Sequence, residues 1–173
     1  MERKGVVTMK GSPVTLLGPE IKAGDKAPAF TVLDAGLNPV SLSDTAGRIR
    51  LIASVPSLDT PVCSIETSRF NSEAEKLPSG KVAVMVISVD LPFTQKRFCG
   101  VEGIENIMVL SDHRELSFGM AYGVAIKEFR LLARAIFVVD AGDVVRHVEY
   151  VKEIGTHPDY EAALKAVKRL AHF

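Results

Sequence analysis

The run Pro56-Ser57-Leu58-Asp59-Thr60-Pro61-Val62-Cys63 places a threonine three residues before a cysteine and a proline seven before it. A thiol reacts as its thiolate, and at an ordinary pKa of about 8.5 only about 3% is ionised at pH 7. Pro61 suits the first turn of a helix, where its missing N–H would be unpaired anyway. Cys63 then falls in that first turn, where free N–H groups and the positive end of the helix dipole favour an anion. Pro56 fixes φ and shapes the loop wall beside the sulfur. Thr60 carries a hydroxyl that can donate to the thiolate or accept from a substrate O–H. If Pro and Thr each fill about 5% of positions, both offsets coincide by chance about once in 400 for a given cysteine.

A lone buried cysteine is commonly a small core hydrophobe, and this alternative stands beside the reactive one. A depressed thiolate pKa also calls for a nearby cation. Arg134 is the best candidate, at the head of the apolar run 135–139, where an unpaired charge would be costly. Arg48, Arg50, Arg69 and Arg130 compete for the role. Lowering the pKa to about 6 would raise the thiolate fraction at pH 7 to about 90%, for about 3.4 kcal/mol of differential stabilisation. One charged hydrogen bond plus a helix terminus supplies energy of that order.

Other chemistries find little support. Lys plus Arg number 21 and Asp plus Glu number 21, so the formal charge is zero, unlike a nucleic-acid or anionic-membrane binder. No apolar run is long enough to span a bilayer, and no secretory signal is visible, so the cytoplasm is the expected compartment. His113, His147, His157 and His172 are scattered, and Cys63 and Cys99 are far apart in sequence with no Cys-x-x-Cys, which argues against a zinc site. Neither Gly-x-Gly-x-x-Gly nor a P-loop is present. Asp59 and Glu66 flank Cys63 and read as a helix charge pattern on a solvated face. Phe93, Phe98, Tyr122 and Phe129 read as core or dimer interface rather than site lining. His113 and His147 read as ordinary strand-end or loop residues.

The elements that must position these groups follow from periodicity and punctuation. Segments 6–10 and 14–17 flank Gly11-Ser12-Pro13 and predict an N-terminal hairpin. Short strands are predicted over 29–33 and 40–42, and buried strands over 49–55 and 82–89. A helix is predicted over 62–77, with Phe70, Ala74 and Leu77 on one face, stopped by Pro78-Ser79-Gly80. Further predicted elements are a helix over 93–100 carrying Cys99, a strand over 107–110, a helix over 116–122, strands over 135–139 and 144–150, and an amphipathic helix over 160–170. This alternation predicts one α/β domain, 1–173, with a mixed central sheet, and places the site beyond the carboxyl end of the strand that ends at Val55.

Pro56, Thr60 and Cys63 together match Pro-x-x-x-Thr-x-x-Cys, which resembles the peroxiredoxin active-site motif. The string 54–63 is similar to that of the bacterial atypical 2-Cys branch of the family, the thiol peroxidases. Asp90-Leu91-Pro92-Phe93, Arg97-Phe98-Cys99-Gly100, Ala121-Tyr122-Gly123-Val124, Leu132-Ala133-Arg134-Ala135 and the segment 158–164 extend the likeness over nearly the whole chain. The resemblance implies a thioredoxin-like three-layer sandwich with an N-terminal β-hairpin. It implies a peroxidatic Cys63 surrounded by Thr60, Pro56 and Arg134, and a resolving Cys99. It further implies thioredoxin as reductant, peroxide substrates, a homodimer, and no metal or organic cofactor. Two other classes remain open: a thiol–disulfide oxidoreductase, which would ordinarily need Cys-x-x-Cys, and a redox sensor or chaperone using the same disulfide as a switch.

Overall fold

The computed structural model describes residues 1–172. Its centre is a mixed sheet of seven strands in the order β11-β10-β5-β6-β7-β3-β4. β5 (Ile49–Ser54), β6 (Val82–Ser88) and β7 (Met108–Ser111) run parallel. β10 (Ala135–Val139) pairs antiparallel with β5, and β11 (Val145–Tyr150) pairs antiparallel with β10. β3 (Thr31–Leu33) and β4 (Pro39–Ser41) close the other edge. Every residue of β5, β6 and β10 is buried. The continuous apolar runs predict this, because both faces of the sheet are covered.

Strand alternation divides the apolar side chains into two cores. Leu51, Ala53, Val84, Val86, Ile136 and Val138 face α1 (Pro61–Glu75) and α4 (Tyr160–Leu170). Ile52, Met85, Ile87 and Phe137 face the opposite layer. That layer is a second sheet, β1-β2-β8-β9, together with the short helix α3 (Ser117–Ala121). The result is the thioredoxin-like three-layer arrangement that the family resemblance implies. α2 (Pro92–Glu102) joins β6 to β7. Among the described residues, no helix is long and apolar enough to cross a membrane.

Several local readings need correction. The N-terminal hairpin is longer than 6–17, with strands β1 (Glu2–Met9) and β2 (Ser12–Leu17). It continues into β8 (Ala125–Ile126) and β9 (Leu131–Leu132), which pattern alone misses because two residues show no periodicity. A short 3-10 helix, Leu42–Thr45, follows β4. α1 stops at Glu75, two residues before its predicted end, and α2 runs through Gly100 to Glu102. Gly103, at φ 67°, ends α2 instead, its N–H donating to the Cys99 carbonyl. His147 lies in the middle of β11 rather than at a strand end.

The expected aromatic core holds for Tyr122 but not for all four rings. Tyr122 is fully buried, stacks on Phe118 with centroids 4.5 Å apart and meets Phe137 at 5.1 Å. Its hydroxyl donates to the Pro28 carbonyl at 2.8 Å. Phe93 and Phe129 are 66% and 56% exposed, so neither belongs to the core of the chain.

Gly123 follows Tyr122 at φ 67°, and a Cβ there would stand 2.0 Å from the Pro19 carbonyl oxygen. Gly11 has a similar φ of 79° but open space around it. Gly11→Ala should therefore cost only the left-handed backbone penalty, about 1–2 kcal/mol. Gly123→Ala should cost clearly more, since backbone must also move. Denaturant unfolding of the two variants checks the order, and equal losses would show that the close approach carries no energy of its own.

Candidate active site

After β5 the chain passes Val55 and the buried Pro56 and turns over residues 57–60. The Val55 N–H donates to the Ile87 carbonyl of β6, so the turn leaves from the carboxyl end of two parallel strands. Thr60 is the N-cap of α1, with extended φ −97° and ψ 147°. Its N–H and its hydroxyl both donate to the Ser57 carbonyl, at 3.1 and 2.9 Å. The hydroxyl hydrogen is thus held away from the sulfur, leaving its lone pairs to accept. Pro61 occupies N1 and Cys63 N3, where the helix has no earlier carbonyls for its N–H groups. Cys63 is 0% exposed, beside the exposed Thr60 and Pro61.

The cation at Cys63 is Arg134, from the segment between β9 and β10. Arg134 is 2% exposed, and its Nη2 donates to Cys63 Sγ at 3.2 Å. Its Nη1 donates to Glu66 Oε2 at 2.7 Å and its Nε to the Ile154 carbonyl at 2.8 Å. The Ser54 hydroxyl at the end of β5 donates to the Ala133 carbonyl at 2.7 Å. That bond ties the residue before Arg134 to the strand that leads into the cysteine loop. The competing arginines are engaged elsewhere. Arg48 binds the Ser79 and Val82 carbonyls, Arg50 pairs with Asp143, Arg69 with Glu161, and Arg130 donates to the His113 carbonyl.

Glu66 overturns its expected place on a solvated face: it is 0% exposed. At i+3 from Cys63 it shares the helix face that meets Arg134, so one guanidinium spans both side chains. Burial pushes its pKa up to about 7, against the pull of Arg134. Its Oε1 is buried without a hydrogen-bond partner. Burial opposes the charge of Arg134 as well, but the Cys63 sulfur and the Glu66 carboxylate outweigh it and hold that pKa above the ordinary value. Asp59, the other flanking carboxylate, is exposed as expected.

Tyr160 belongs to the same buried cluster as Cys63. Its ring meets Phe70 edge-on at 5.5 Å, the Arg69 guanidinium lies 4.2 Å over it, and its hydroxyl pairs with His157 Nδ1 at 2.7 Å. Burial and the nearby Glu66 charge raise its pKa to about 12. The sequence reading missed both Glu66 and Tyr160 as site residues. The i, i+3 spacing from Cys63 was the available signal for Glu66, whereas nothing local points from Tyr160 to the site.

Cys99 lies in the second half of α2, half-buried, and burial raises its pKa. Both thiols are free. The neighbouring Phe98 packs against the core cluster that contains Cys63.

A thioredoxin-like sheet with a cysteine at a helix N-terminus, bonded to a buried arginine, defines a thiol-based redox protein. The Redoxin family profile matches residues 22–164. A thiol peroxidase of Halalkalibacterium halodurans is 59% identical over 162 residues, 94% of this chain and 96% of that protein. A thiol peroxidase of Bacillus subtilis is 53% identical over 164 residues, 95% of this chain and 97% of that one. The solved structure of a peroxiredoxin-like protein from Aquifex aeolicus superposes with a TM-score of 0.89 at 42% identity, covering 97% of each chain. A thiol peroxidase from Chromobacterium violaceum superposes at 0.82 with 25% identity, covering 94% of this chain and 95% of its own. The chain belongs to the Redoxin family, in its thiol peroxidase branch.

The raised pKa of Glu66 has a sign that can be tested. A carboxyl whose folded pKa lies above its unfolded value of 4.5 stabilises the fold fully below pH 4.5 and loses that contribution as pH rises to about 7. In a Cys63→Ser background, which removes the thiol, the stability difference between Glu66 and Glu66→Gln proteins should fall by at most about 3 kcal/mol between pH 4.5 and 8. Denaturant unfolding across that range measures it, and a flat difference would place the carboxyl pKa near its ordinary value.

Proposed function

We propose that the chain reduces hydrogen peroxide and alkyl hydroperoxides at Cys63, with Cys99 as resolving thiol and a thioredoxin-type dithiol as electron donor. The observation that carries this reading is the 3.2 Å bond from the buried Arg134 to Cys63 Sγ at a helix N-terminus. The membership of the thiol peroxidase branch supplies the oxidant class.

The Cys63 thiolate attacks one peroxide oxygen. An S–O bond forms, the O–O bond breaks, and sulfur gives up two electrons to become a sulfenic acid. The departing oxygen takes a proton and leaves as water or an alcohol. Arg134 holds five N–H donors, three of which serve Cys63, Glu66 and Ile154. The other two can bind the peroxide oxygens and stabilise charge on the one that leaves. Thr60, whose hydrogen goes to Ser57, accepts from the peroxide O–H. Pro56 walls the pocket behind the sulfur. The Cys99 thiol then condenses with the sulfenic acid, forming a disulfide and releasing water. An external dithiol exchanges with that disulfide, restoring both thiols and leaving oxidised itself. In this role the chain works as a single domain, paired as a homodimer in the cytoplasm, with no metal or organic cofactor. The family resemblance supports that assignment.

One equivalent of peroxide, followed by mass spectrometry, should give a Cys63–Cys99 disulfide in the wild type and a Cys63 sulfenic acid in Cys99→Ser. An unmodified Cys63 would sink the peroxidase reading, and absence of steady-state turnover with a thioredoxin system would favour a sensor.

Arg134→Gln should slow the peroxide step by roughly 10–100-fold, the worth of a charge-assisted hydrogen bond of about 1.5–3 kcal/mol. Because that change strands the buried Glu66 charge, the Arg134→Gln/Glu66→Gln double variant is the companion measurement. A double variant as fast as wild type would remove Arg134 from the mechanism.

A further inference from the structure

We infer that Asp90 is a positioning residue that ties the Cys63 loop to the Cys99 helix, so that both segments leave their closed arrangement together when the disulfide forms. The inference rests on Cys99 being the partner of Cys63, as proposed above.

Asp90 stands between β6 and α2, and its carboxylate faces the cysteine loop. Oδ1 accepts from the Ser57 hydroxyl at 2.7 Å, and Oδ2 accepts from the Leu58 N–H at 2.8 Å and from the Ser88 hydroxyl at 2.7 Å. Its own N–H donates to Ser88 Oγ at 3.2 Å, and its carbonyl accepts from the Ser111 hydroxyl. Ser57 and Leu58 lie in the turn that carries Thr60 and the start of α1. One carboxylate therefore fixes the turn that places Cys63.

The same network reaches α2. Gln95, 1% exposed, donates through Nε2 to Ser88 Oγ at 3.1 Å and to the Leu110 carbonyl at 2.8 Å. Both amide hydrogens are used, and Oε1 is left buried without a donor. An unpaired buried acceptor gains hydrogen bonds once the segment opens to water, so the packed helix is held with a built-in penalty. Only Pro92 and Gln95 of α2 are buried, which leaves little apolar contact to resist opening. Beyond the helix, Asn71 Oδ1 of α1 accepts from the Glu105 and Asn106 N–H groups at 3.1 and 2.8 Å. α2 is thus bounded by two polar anchors that tie it to α1 and to the turn preceding α1.

Oxidation supplies the trigger. Cys63 is sealed from solvent, so disulfide formation with the sulfenic acid requires the first turn of α1 to move. That movement pulls on Ser57 and Leu58, loosens Asp90, and frees the Ser88–Gln95 link at the start of α2. With Asp90 intact, the closed state favours the peroxide step. Without it, the open state favours the disulfide step.

The experiment is quenched-flow mass spectrometry on the full chain, timing Cys63 oxidation and disulfide formation separately in wild type, Asp90→Asn and Ser57→Ala. Asp90→Asn should slow oxidation by about tenfold while disulfide formation is unchanged or faster, with a smaller effect in the same direction for Ser57→Ala. A ratio of disulfide to oxidation rate more than threefold above wild type supports the coupling. A ratio within threefold or lower overturns it. Leu42→Ala, a core truncation in the opposite layer, should lower Tm and leave the ratio alone; an equal rise there would make the effect mere destabilisation and also overturn the coupling. If Asp90→Asn does not fold, Ser57→Ala decides by the direction of its ratio: a rise supports, anything else overturns. A wild type that forms no Cys63–Cys99 disulfide would instead overturn the resolving role itself, a distinguishable failure.

Discussion

The buried guanidinium of Arg134 is the constraint around which the rest is arranged. A fixed positive charge at 2% exposure is tolerated only with partners that replace water. It finds three: a sulfur and a carboxylate from one face of α1, and a carbonyl at Ile154. Those partners come from separate parts of the chain, so the charge sets both the rotation of α1 and its distance from the sheet. The pairing of β10 with β5 then follows as a geometric need. It brings the head of β10 beside the strand that delivers the cysteine turn, and the Ser54–Ala133 bond locks the two together.

Three side chains that can carry charge, Cys63, Glu66 and Arg134, meet in that one site. Arg134 can fully compensate one negative charge. When Cys63 is a thiolate, an ionised Glu66 would leave the buried cluster with net negative charge. Burial pushes the Glu66 pKa to about 7 against the pull of Arg134, so its carboxyl gives up that charge readily. Its unpartnered Oε1 is consistent with a carboxyl that is neutral part of the time. Glu66 thereby fixes Arg134 in place while taking little of the charge stabilisation away from the sulfur.

Much of this was legible in the sequence because it is local. Pro61 announces a helix start, the following cysteine must sit in its first turn, and the apolar runs at β5, β6 and β10 demand a sheet covered on both faces. An arginine at the head of such a run could be named as a cation seeking a partner. The distances that join it to Cys63 could not, because they depend on which strand lies next to β5. Glu66 misled for a physical reason: an acidic residue in the first turns of a helix is ordinarily a solvated dipole partner. Only the tertiary position of Arg134 turns that face inward. Gly100 misled in the opposite way, since a glycine on an exposed helix face weakens a helix without ending it.

The two cysteines differ in ways that suit a division of labour under the proposed chemistry. Cys63 has the positive end of α1 and the one buried arginine of its pocket. Cys99 lies toward the negative end of α2, with burial raising its pKa and neither of those supports. A second activated thiolate would compete for peroxide and could oxidise without a partner in reach. An unactivated thiol on a weakly buried helix does not compete. It can still meet a sulfenic acid, whose sulfur is electrophilic, once α2 opens. The marginal packing of α2 is therefore as much a part of the site as the tight packing of α1.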